Sequence, residues 1–480
     1  MNIEKKIDSL PRLQPKISDW ILQLLRKEDV LNQLLDKWGS PVNLHNTLPF
    51  EENYLEYEKV LNDFELDHMV LFARKANKCR RFVRKAQTLD IGVDTASLEE
   101  LKQSLECGVN NQKLVVTAAI KNKQLIQLAV KSNVLIILDN WDEAVLVQEV
   151  AEEHGVKAKV GIRVSGFLVG GEKLYSRFGF DVAEAESFVI DNFRADGRFS
   201  GLEYSGVHFH LNGYSISQRG EALLQSIELA EKLDQTGFNT KYIDIGGGFL
   251  MNYLQNESDW LEFQEELQDA VLGKSRSITF GNDGLGFQLI DGKIQGKLNS
   301  YPFWNETSKA TFLQKILSYS SSGGKKLAEL LRKKKIQLRM EPGRSLLDQT
   351  GMTIARVAFR KKDSNGDWLV GLEMNMTQMA SSSADFLLDP CVINLKTEPS
   401  TEQVEVYFTG AYCLERDVLL KRKITLNRLP AIGDLVIFIN TAGYMMHFFE
   451  SNAHLFPLAT NLFLKENFSG DNLEDFEEDS

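Results

Sequence analysis

The chain has 480 residues, of which 43% are hydrophobic and 25% are charged, and its formal net charge is −12. This composition is ordinary for a globular protein, whereas the acidic excess argues against nucleic acid or an anionic membrane surface as a partner. A chain of this length is expected to form two domains, or one large barrel with an appendage.

The N-terminal sequence, the apolar runs and the cysteine spacing indicate the compartment in which the protein is expected. The first ten residues lack the apolar core of a signal peptide, and no apolar run approaches the length of a membrane span. The cysteines show no CxxC pair and no regular spacing, which argues against a disulfide framework or a zinc site. They are Cys79, Cys107, Cys391 and Cys413. We therefore expect a cytoplasmic protein without a bound metal.

The first half of the chain has the alternating pattern of an α/β protein. Residues 8–38 carry apolar side chains at helical spacing, and a short strand is predicted over 42–44. From Met69 onward, short β-rich runs are followed by amphipathic helical stretches. Eight such runs are predicted at Met69–Ala73, Asp90–Asp94, Lys113–Val116, Val134–Leu138, Ala158–Arg163, Gly206–His210, Tyr242–Ile245 and Ile336–Glu341. This alternation predicts a (β/α)8 barrel.

The second half of the chain changes character beyond Gly351. There, β runs follow one another without intervening helices, which predicts a separate, mostly antiparallel β domain. We expect a barrel over 48–345 and the β domain over 346–465, with residues 1–47 forming a helical segment and a strand that join the β domain.

Two segments depart from this scheme. The interval 250–335 is too long for a plain connection between strands, so we expect it to carry an insertion near the barrel mouth. The acidic tail 466–480 lacks apolar periodicity, so we expect it to be disordered.

Functional residue types fall at the carboxyl ends of the predicted strands, the face where barrel enzymes keep their chemistry. Lys75 follows the first strand, where partial desolvation would make its amine suitable for a Schiff base, although a solvent-exposed lysine is the plain alternative. The other strand-end residues are Asp94, Arg163, His210, Gly246, Gly247, Gly248 and Glu341. Six strand ends with such residues are difficult to explain as turns alone.

The glycine triplet and the residues after the eighth strand suggest an anion site. Backbone N–H groups of Gly246–Gly248 can bind a phosphate, and Arg344 can add a bidentate contact, although three glycines can also serve only as a turn. A lysine, a phosphate site and a carboxylate at one barrel end suggest pyridoxal 5′-phosphate (PLP), with Glu341 facing the pyridine nitrogen. Taking the strand to alternate inward and outward, we expect only one of His208 and His210 to face inward, and we choose His210.

The motifs of the chain resemble those of the fold-type III PLP-dependent decarboxylases, the group of ornithine, diaminopimelate and biosynthetic arginine decarboxylases. The resemblance runs from about Pro41 to Pro457 and is that of a divergent branch, with an alanine-racemase-like barrel. It rests on ARKAN (73–77), GVDTAS (92–97), GVHFHLNG (206–213), DIGGGF (244–249), EPGR (341–344), GAYCLERD (410–417) and TAGY (441–444).

The resemblance implies a role for each matching residue. Lys75 would form the Schiff base, His210 would stack on the ring, and Glu341 would pair with the pyridine nitrogen. The glycine triplet, Gly343, Arg344 and Tyr444 would hold the phosphate, and Asp94 and Arg163 would complete the cofactor site. Cys413 would protonate the quinonoid carbon after carbon dioxide leaves. In the family this cysteine comes from the partner subunit, which implies a homodimer with shared active sites.

Several positions depart from the family pattern. Asn212-Gly213 stand where the family has Gly-Ser, and the usual cysteine–acid pair is interrupted. The stretch 374–386 lacks the arginine that diaminopimelate decarboxylases use for the distal carboxylate. We therefore expect a substrate with a cationic or polar distal group, a diamino acid or an amino-acid conjugate, bound by Glu415 and Asp417. Alternatively, one of these acids only pairs with Arg416 or Lys421.

Two other functions remain open at this point. An amino-acid racemase of the same fold would place an arginine at the pyridine nitrogen, and Glu341 argues against it. A non-catalytic binding protein of this fold would have lost the chemistry, and the presence of Lys75, Glu341 and Cys413 argues against that.

Overall fold

The computed structural model describes residues 10–320, 324, 326–381, 386–395 and 403–480. Over these residues the helices are α1 (Asp19–Leu25), α2 (Glu28–Trp38), α3 (Leu48–Asp63), α4 (Arg80–Thr88), α5 (Leu98–Glu106), α6 (Lys123–Lys131), α7 (Trp141–His154), α8 (Val182–Asn192), α9 (Ile216–Gln235), α10 (Glu257–Val271), α11 (Lys309–Leu317) and α12 (Leu327–Lys334). No helix of the described residues has the length and the hydropathy to cross a membrane.

The strands, again within the described residues, are β1 (Val42–His45), β2 (His68–Ala73), β3 (Gly92–Thr95), β4 (Leu114–Val116), β5 (Leu135–Leu138), β6 (Ala158–Ser165), β7 (Leu168–Val169), β8 (Glu172–Lys173), β9 (Phe180–Asp181), β10 (Leu202–His208), β11 (Tyr242–Asp244), β12 (Phe287–Ile290), β13 (Lys293–Gly296), β14 (Gln337–Met340), β15 (Gly351–Lys362), β16 (Trp368–Leu372), β17 (Cys391–Ile393), β18 (Val404–Thr409), β19 (Ile424–Leu426), β20 (Leu435–Ile439), β21 (Thr460–Leu464) and β22 (Phe476–Glu478).

The chain divides into two compact units. The barrel unit comprises Phe50–Leu250 and Thr307–Leu346. The β unit comprises the described residues of Met1–Pro49, Met251–Glu306 and Leu347–Ser480.

The barrel unit contains a closed sheet of eight parallel strands. Its order is β2-β3-β4-β5-β6-β10-β11-β14, and β14 pairs with β2 to close the ring. Apolar runs such as Leu135–Leu138 are buried at every residue because helices cover the outside and side chains fill the inside. The (β/α)8 prediction is confirmed, and each strand overlaps one of the eight predicted runs.

The long interval before the eighth strand divides between the two units. The sequence suggested an insertion in the barrel over 250–335, but the structure assigns Met251–Glu306 to the β unit. Main-chain hydrogen bonds explain this, since Lys16 N–H donates to Tyr253 O at 2.7 Å and Phe280 N–H donates to Lys421 O at 2.7 Å. The chain then returns to the barrel unit through α11 and α12.

The β unit is built on a mixed, mostly antiparallel sheet, as predicted. Its order is β19-β18-β16-β15-β1-β21-β22, and β20 pairs with β15 and β17. A core of apolar side chains from the sheet packs against α1 and α2, including Leu24, Leu34, Leu44, Ile354 and Ile437. The apolar spacing over 8–38 corresponds to two helices that are separated at Arg26 and Lys27.

The acidic end of the chain does not follow the sequence expectation of disorder for 466–480. Phe476–Glu478 form β22, antiparallel to β21. Phe476 belongs to the apolar core of the β unit, and the indole of Trp38 donates to Glu478 at 2.7 Å. One buried aromatic side chain and a strand edge therefore order a segment whose composition alone suggested a solvated tail.

Candidate active site

Lys75 lies at the carboxyl end of β2, within a 3-10 turn over Arg74–Ala76. Its Nζ is 2.7 Å from Oδ2 of Asp94, which is buried at the end of β3 and also accepts the Thr117 hydroxyl hydrogen bond. The neighbouring Arg74 is buried and donates to the Glu100 carbonyl at 2.8 Å, which ties the turn to α5. The Lys75 side chain is 34% exposed, so its amine can be reached by a ligand although Asp94 orients it.

Glu341 directly follows β14 and is buried beside His208. The His208 Nε2 atom lies 3.1 Å from Glu341 Oε1. Burial raises the pKa of Glu341, while the charges of Lys75 and Arg163 lower it. Burial and the positive charge of Arg163 hold the pKa of His208 well below its usual value, so this imidazole is neutral. The carboxylate therefore has a neutral hydrogen-bond partner and more distant cations.

Two further buried carboxyl groups lie close to Glu341. Burial and the charge of Glu341 raise the pKa of Asp244 well above its usual value, and they raise that of Asp94 as well. Ligand atoms of His208, Asp244 and Glu341 lie within 4.8 Å of one another. Their raised pKa values favour the protonated form of these carboxyl groups, and a cationic group of a ligand placed here would favour the ionised form.

The glycine triplet packs against His210 and the end of β14. Gly246 and Gly248 have φ of +65° and +79°, which favour glycine, and a Cβ at Gly247 would lie 2.5 Å from the Glu341 carbonyl oxygen. The N–H of Gly247 donates to His210 Nδ1 at 3.2 Å, so the neutral imidazole carries its proton on Nε2. Burial and the charge of Lys75 lower the pKa of His210.

The expectation that only one of the two histidines faces inward was wrong. His208 ends β10 beside Glu341, and His210, two residues later, contacts the glycine triplet. The charges of Lys75 and Arg163 act on both imidazoles. Residues two apart in an extended strand share a face, so the alternation brings both histidines to one side and directs Phe209 to the other.

Three more predicted residues lie at the same end of the barrel. The guanidinium of Arg163 stacks on the Phe178 ring, with 4.4 Å from Cζ to the ring centroid, and its Nε is 3.9 Å from Asp139 Oδ1. Gly343 is buried and Arg344 is half-buried directly after Glu341. The N–H of Ala73 donates to the Pro342 carbonyl at 3.2 Å, which links this segment to the strand that carries Lys75.

The remaining predicted residues belong to the β unit. Cys413 and Glu415 are exposed in the loop that follows β18. Tyr444 is half-buried with φ of +74°, a backbone conformation that is uncommon for tyrosine, and its ring contacts Phe448 with a centroid distance of 5.9 Å.

Asp417 does not fit the predicted role in substrate binding. It is only 3% exposed, and its two carboxylate oxygens accept the N–H groups of Met376 and Tyr412, each at 2.7 Å. A Cβ at Gly410 would lie 2.4 Å from Asp417 Oδ2, so the loop closes tightly around this side chain. Asp417 organises the loop, which leaves Glu415 as the accessible acid of the pair.

Comparison with known proteins finds a family match that covers most of the barrel unit and the first part of the segment Met251–Glu306. Residues 50–279 match the family of pyridoxal-dependent decarboxylases, specifically its pyridoxal-binding domain. The chain is 27% identical over 277 residues to diaminopimelate decarboxylase of Aquifex aeolicus, covering 53% of this chain and 63% of that protein. It is also 28% identical over 468 residues to the uncharacterized protein y4yA of Sinorhizobium fredii, covering 96% and 93% of the two chains.

The fold comparison agrees with the sequence matches. The structure of diaminopimelate decarboxylase from Helicobacter pylori complexed with L-lysine superposes with a TM-score of 0.66 at 19% identity, covering 93% of this chain and 95% of that chain. Residues 50–279 match the pyridoxal-binding domain of the pyridoxal-dependent decarboxylases, the group that the sequence motifs resemble. The resemblance identified from the sequence motifs is therefore confirmed.

The cofactor of these decarboxylases fits the residues at the barrel end. The amine of Lys75 is accessible and is oriented by Asp94. At Gly246–Gly248 the backbone packs so closely against Phe209, Glu341 and Arg219 that Cβ atoms would clash at 2.5 to 2.7 Å, and the positive φ of Gly246 and Gly248 gives the turn that a phosphate-binding loop needs. Glu341 offers a buried carboxylate for a basic ring nitrogen. An aldehyde, a phosphate and a pyridine nitrogen would each meet a suitable group.

Three residues of this decarboxylase site were not singled out from the sequence. Asp244 is the last residue of β11 and Asp139 directly follows β5, so the criterion of a polar residue at a strand end, which selected Asp94, applied to both. Arg219 lies in α9 and is buried with its guanidinium behind the glycine triplet. Its signal was a charged residue at helical spacing with Ala222, Leu223 and Ser226, small or apolar residues that are also buried.

Proposed function

We propose that the protein decarboxylates an amino acid at the carboxyl end of the barrel, using PLP held by Lys75. The observation that carries this proposal is Glu341, a buried carboxylate near Lys75, where a racemase of this fold would have a cation. When bound, PLP supplies an electron sink for the pair released by a bond broken at Cα. A carboxylate at the pyridine nitrogen strengthens that sink because it keeps the nitrogen protonated.

The barrel residues each have a defined task in this proposal. Lys75 Nζ would bind the aldehyde of the cofactor, and Asp94 keeps the amine in place through its 2.7 Å contact. Glu341 would pair with the ring nitrogen, and His208 orients the Glu341 carboxylate. His210 would contact the ring, and its Nδ1 is fixed by the Gly247 N–H. Arg163 balances the buried carboxyl groups.

Gly246–Gly248, Gly343 and Arg344 of the barrel unit would hold the phosphate, and the motif resemblance assigns the same role to Tyr444. The N–H groups of Gly246 and Gly247 donate to Asp244 Oδ1 and His210 Nδ1, so the N–H groups of Gly248 and Phe249 are the ones proposed to meet the anion. Arg344 is half-buried at the same barrel end, where a guanidinium can make a bidentate contact with phosphate oxygens.

Cys413 is proposed to deliver the proton that replaces carbon dioxide at Cα. Its thiol is exposed in the β unit. A group that completes the site of another subunit is expected to be exposed when its own chain is considered alone. We propose a homodimer in which Cys413 of each chain completes the site of its partner, so that each site has groups from both chains.

The proposed substrate is a diamino acid or an amino-acid conjugate. The relatives with known names include diaminopimelate decarboxylases, and a structure of one is complexed with L-lysine. The stretch 374–386 has no arginine to match a distal carboxylate, and residues 382–385 of it lie outside the described residues. The exposed Glu415 offers a partner for a cationic distal group.

The purified protein can test this proposal with a panel of L- and D-diamino acids and larger conjugates. Carbon dioxide and amine are expected from at least one substrate, and borohydride is expected to fix the cofactor to the peptide containing Lys75. Lys75→Ala should abolish both signals, whereas Lys78→Ala, a change at an exposed lysine of the same segment, should preserve both. Inversion at Cα without carbon dioxide would indicate a racemase, and cofactor binding without turnover of any substrate would indicate a binding protein.

A further inference from the structure

Arg219 is the largest fully buried side chain among the described residues, with 2% exposure. Its guanidinium, carried by α9, donates to main-chain carbonyls of two different loops. Nη1 donates to Gly247 O at 2.9 Å, and Nη2 lies 3.0 Å from Gly213 O and 3.2 Å from Gly248 O. One side chain thus joins the loop after β10 to the loop after β11.

The charge of Arg219 has no carboxylate partner within the described residues. Nη2 also lies 3.4 Å from Leu211 O, and the centroids of the Phe249 and Phe312 rings lie 6.0 and 5.8 Å from Cζ. Burial lowers its pKa to about 10, so it remains a cation at neutral pH. A buried cation without a counter-ion is costly to retain, which suggests that an anion completes the arrangement when a ligand binds.

The contacts of Arg219 also fix the direction of the backbone amides. In a trans peptide the C=O and the N–H of the same unit point in opposite directions. Holding the Gly247 and Gly248 carbonyls on the Arg219 side therefore directs the next N–H groups, those of Gly248 and Phe249, to the other side. The charge of Arg219 also contributes to the lowered pKa of His210, the imidazole that accepts the Gly247 N–H, so its field acts within this loop.

We propose that Arg219 is a positioning residue that aims the glycine triplet at the phosphate of the cofactor and adds an uncompensated positive charge behind it. This inference rests on the proposed assignment of the glycine triplet to phosphate. Arg219 also holds the main-chain carbonyl of Gly213, which stands at the position where the family has serine.

The test compares the binding of PLP with that of pyridoxal, which has the same aldehyde and ring without the phosphate. Absorbance titration of the cofactor-free protein gives both dissociation constants. For Arg219→Met we expect a rise of roughly tenfold or more in the Kd of PLP and a change of less than about twofold in the Kd of pyridoxal. Arg219→Lys keeps the charge but loses the planar guanidinium with its several donors, and we expect the Kd of PLP to rise roughly threefold and that of pyridoxal to stay unchanged.

Lys232→Met is the matched control, because it removes an exposed cation from the same helix, with the side chain 61% exposed. It should leave both constants unchanged. An Arg219→Met protein that loses affinity for PLP and pyridoxal equally would overturn the inference, as would one that binds PLP like the wild type. Recovery of both Arg219 variants only as unfolded protein would also overturn it, since the residue would then serve the fold alone.

The same titration separates this inference from the proposed phosphate site. Wild-type protein that binds PLP no more tightly than pyridoxal would show that the assignment of the glycine triplet to phosphate is wrong. If the wild-type protein prefers PLP over pyridoxal and the Arg219→Met protein prefers it to the same extent, only the role of Arg219 is wrong.

Discussion

His208 Nε2 lies 3.1 Å from Glu341 Oε1, and both side chains are almost completely buried at the end of the barrel. Because the imidazole is kept neutral, it orients the carboxylate without cancelling its charge. The charge of Glu341 thus remains for Lys75 and Arg163 and for a protonated ring nitrogen. A protonated His208 would have competed with that nitrogen, so a neutral hydrogen-bond donor is well suited to this position.

Replacing Glu341 with glutamine should reduce kcat roughly 10²-fold or more while the cofactor stays bound. Glutamine keeps the size and one hydrogen-bonding oxygen but removes the charge that favours a protonated pyridine nitrogen, and a charge-assisted hydrogen bond is lost. Steady-state assays give kcat, and absorbance gives cofactor occupancy. His208→Gln is the matched change on the other side of the same contact and should cost less, because it removes orientation and leaves the charge. An unchanged kcat in Glu341→Gln would speak against the role of the carboxylate.

The barrel and most of its chemistry could be predicted because they depend on local pattern. Buried parallel strands are short and apolar throughout, and the polar residues that end them are visible as interruptions, as at Lys75 and Asp94. Glu341 was found in the same way. The eight strand ends then converge through closure of the sheet, which the count of strands already implied.

Other features depend on contacts between distant parts of the chain, which no local pattern contains. Met251–Glu306 joins the β unit through bonds to residues such as Lys421, more than a hundred positions away. The acidic tail is ordered by the burial of one residue, Phe476. Arg219 holds carbonyls of Gly213 and Gly247, a contact that requires the final packing of α9. Composition predicts none of these.

Asp417 is expected to stabilise its loop, whereas Glu415 is expected to act on the substrate. Asp417→Ala leaves the N–H groups of Met376 and Tyr412 without their acceptor, which should cost about 1–3 kcal/mol and lower the melting temperature. Glu415→Ala removes an exposed side chain, so the melting temperature should stay constant while KM rises for a substrate with a cationic distal group. Thermal unfolding and steady-state kinetics measure the two effects. If Asp417→Ala raised KM without lowering the melting temperature, Asp417 would be a substrate-binding residue.

His45 should make the stability of the β unit depend on pH. It is completely buried in β1, 3.1 Å from the Leu462 carbonyl and stacked on Phe463, and burial lowers its pKa to about 4 from 6.5. As the pH falls below 6.5, the unfolded chain takes up a proton that the folded chain refuses until about pH 4. The unfolded state then binds more protons, so stability is lost through this window and is fully present above it.

The expected size follows from the shift in pKa. Between pH 7 and pH 5, His45 should account for a loss of about 2 kcal/mol in the free energy of unfolding. Urea unfolding of wild type and His45→Gln at the two pH values measures this difference, because the variant has no imidazole to titrate. His68→Gln, in β2 of the barrel unit, controls for the loss of a histidine as such. Equal pH dependence in wild type and His45→Gln would contradict the prediction.

Complementation between two inactive variants tests the proposed sharing of sites. Lys75 belongs to the barrel unit and Cys413 to the β unit, so Lys75→Ala and Cys413→Ala each remove one group. Each variant alone should be nearly inactive. When subunits exchange, each mixed dimer has one site with both groups intact, and random exchange should restore about a quarter of the wild-type sites. Differential tagging verifies that mixed dimers form. As a control, a mixture of two differently tagged preparations of Lys75→Ala should remain inactive. Tagged mixed dimers without activity would mean that Cys413 acts within its own chain or has no part in the reaction.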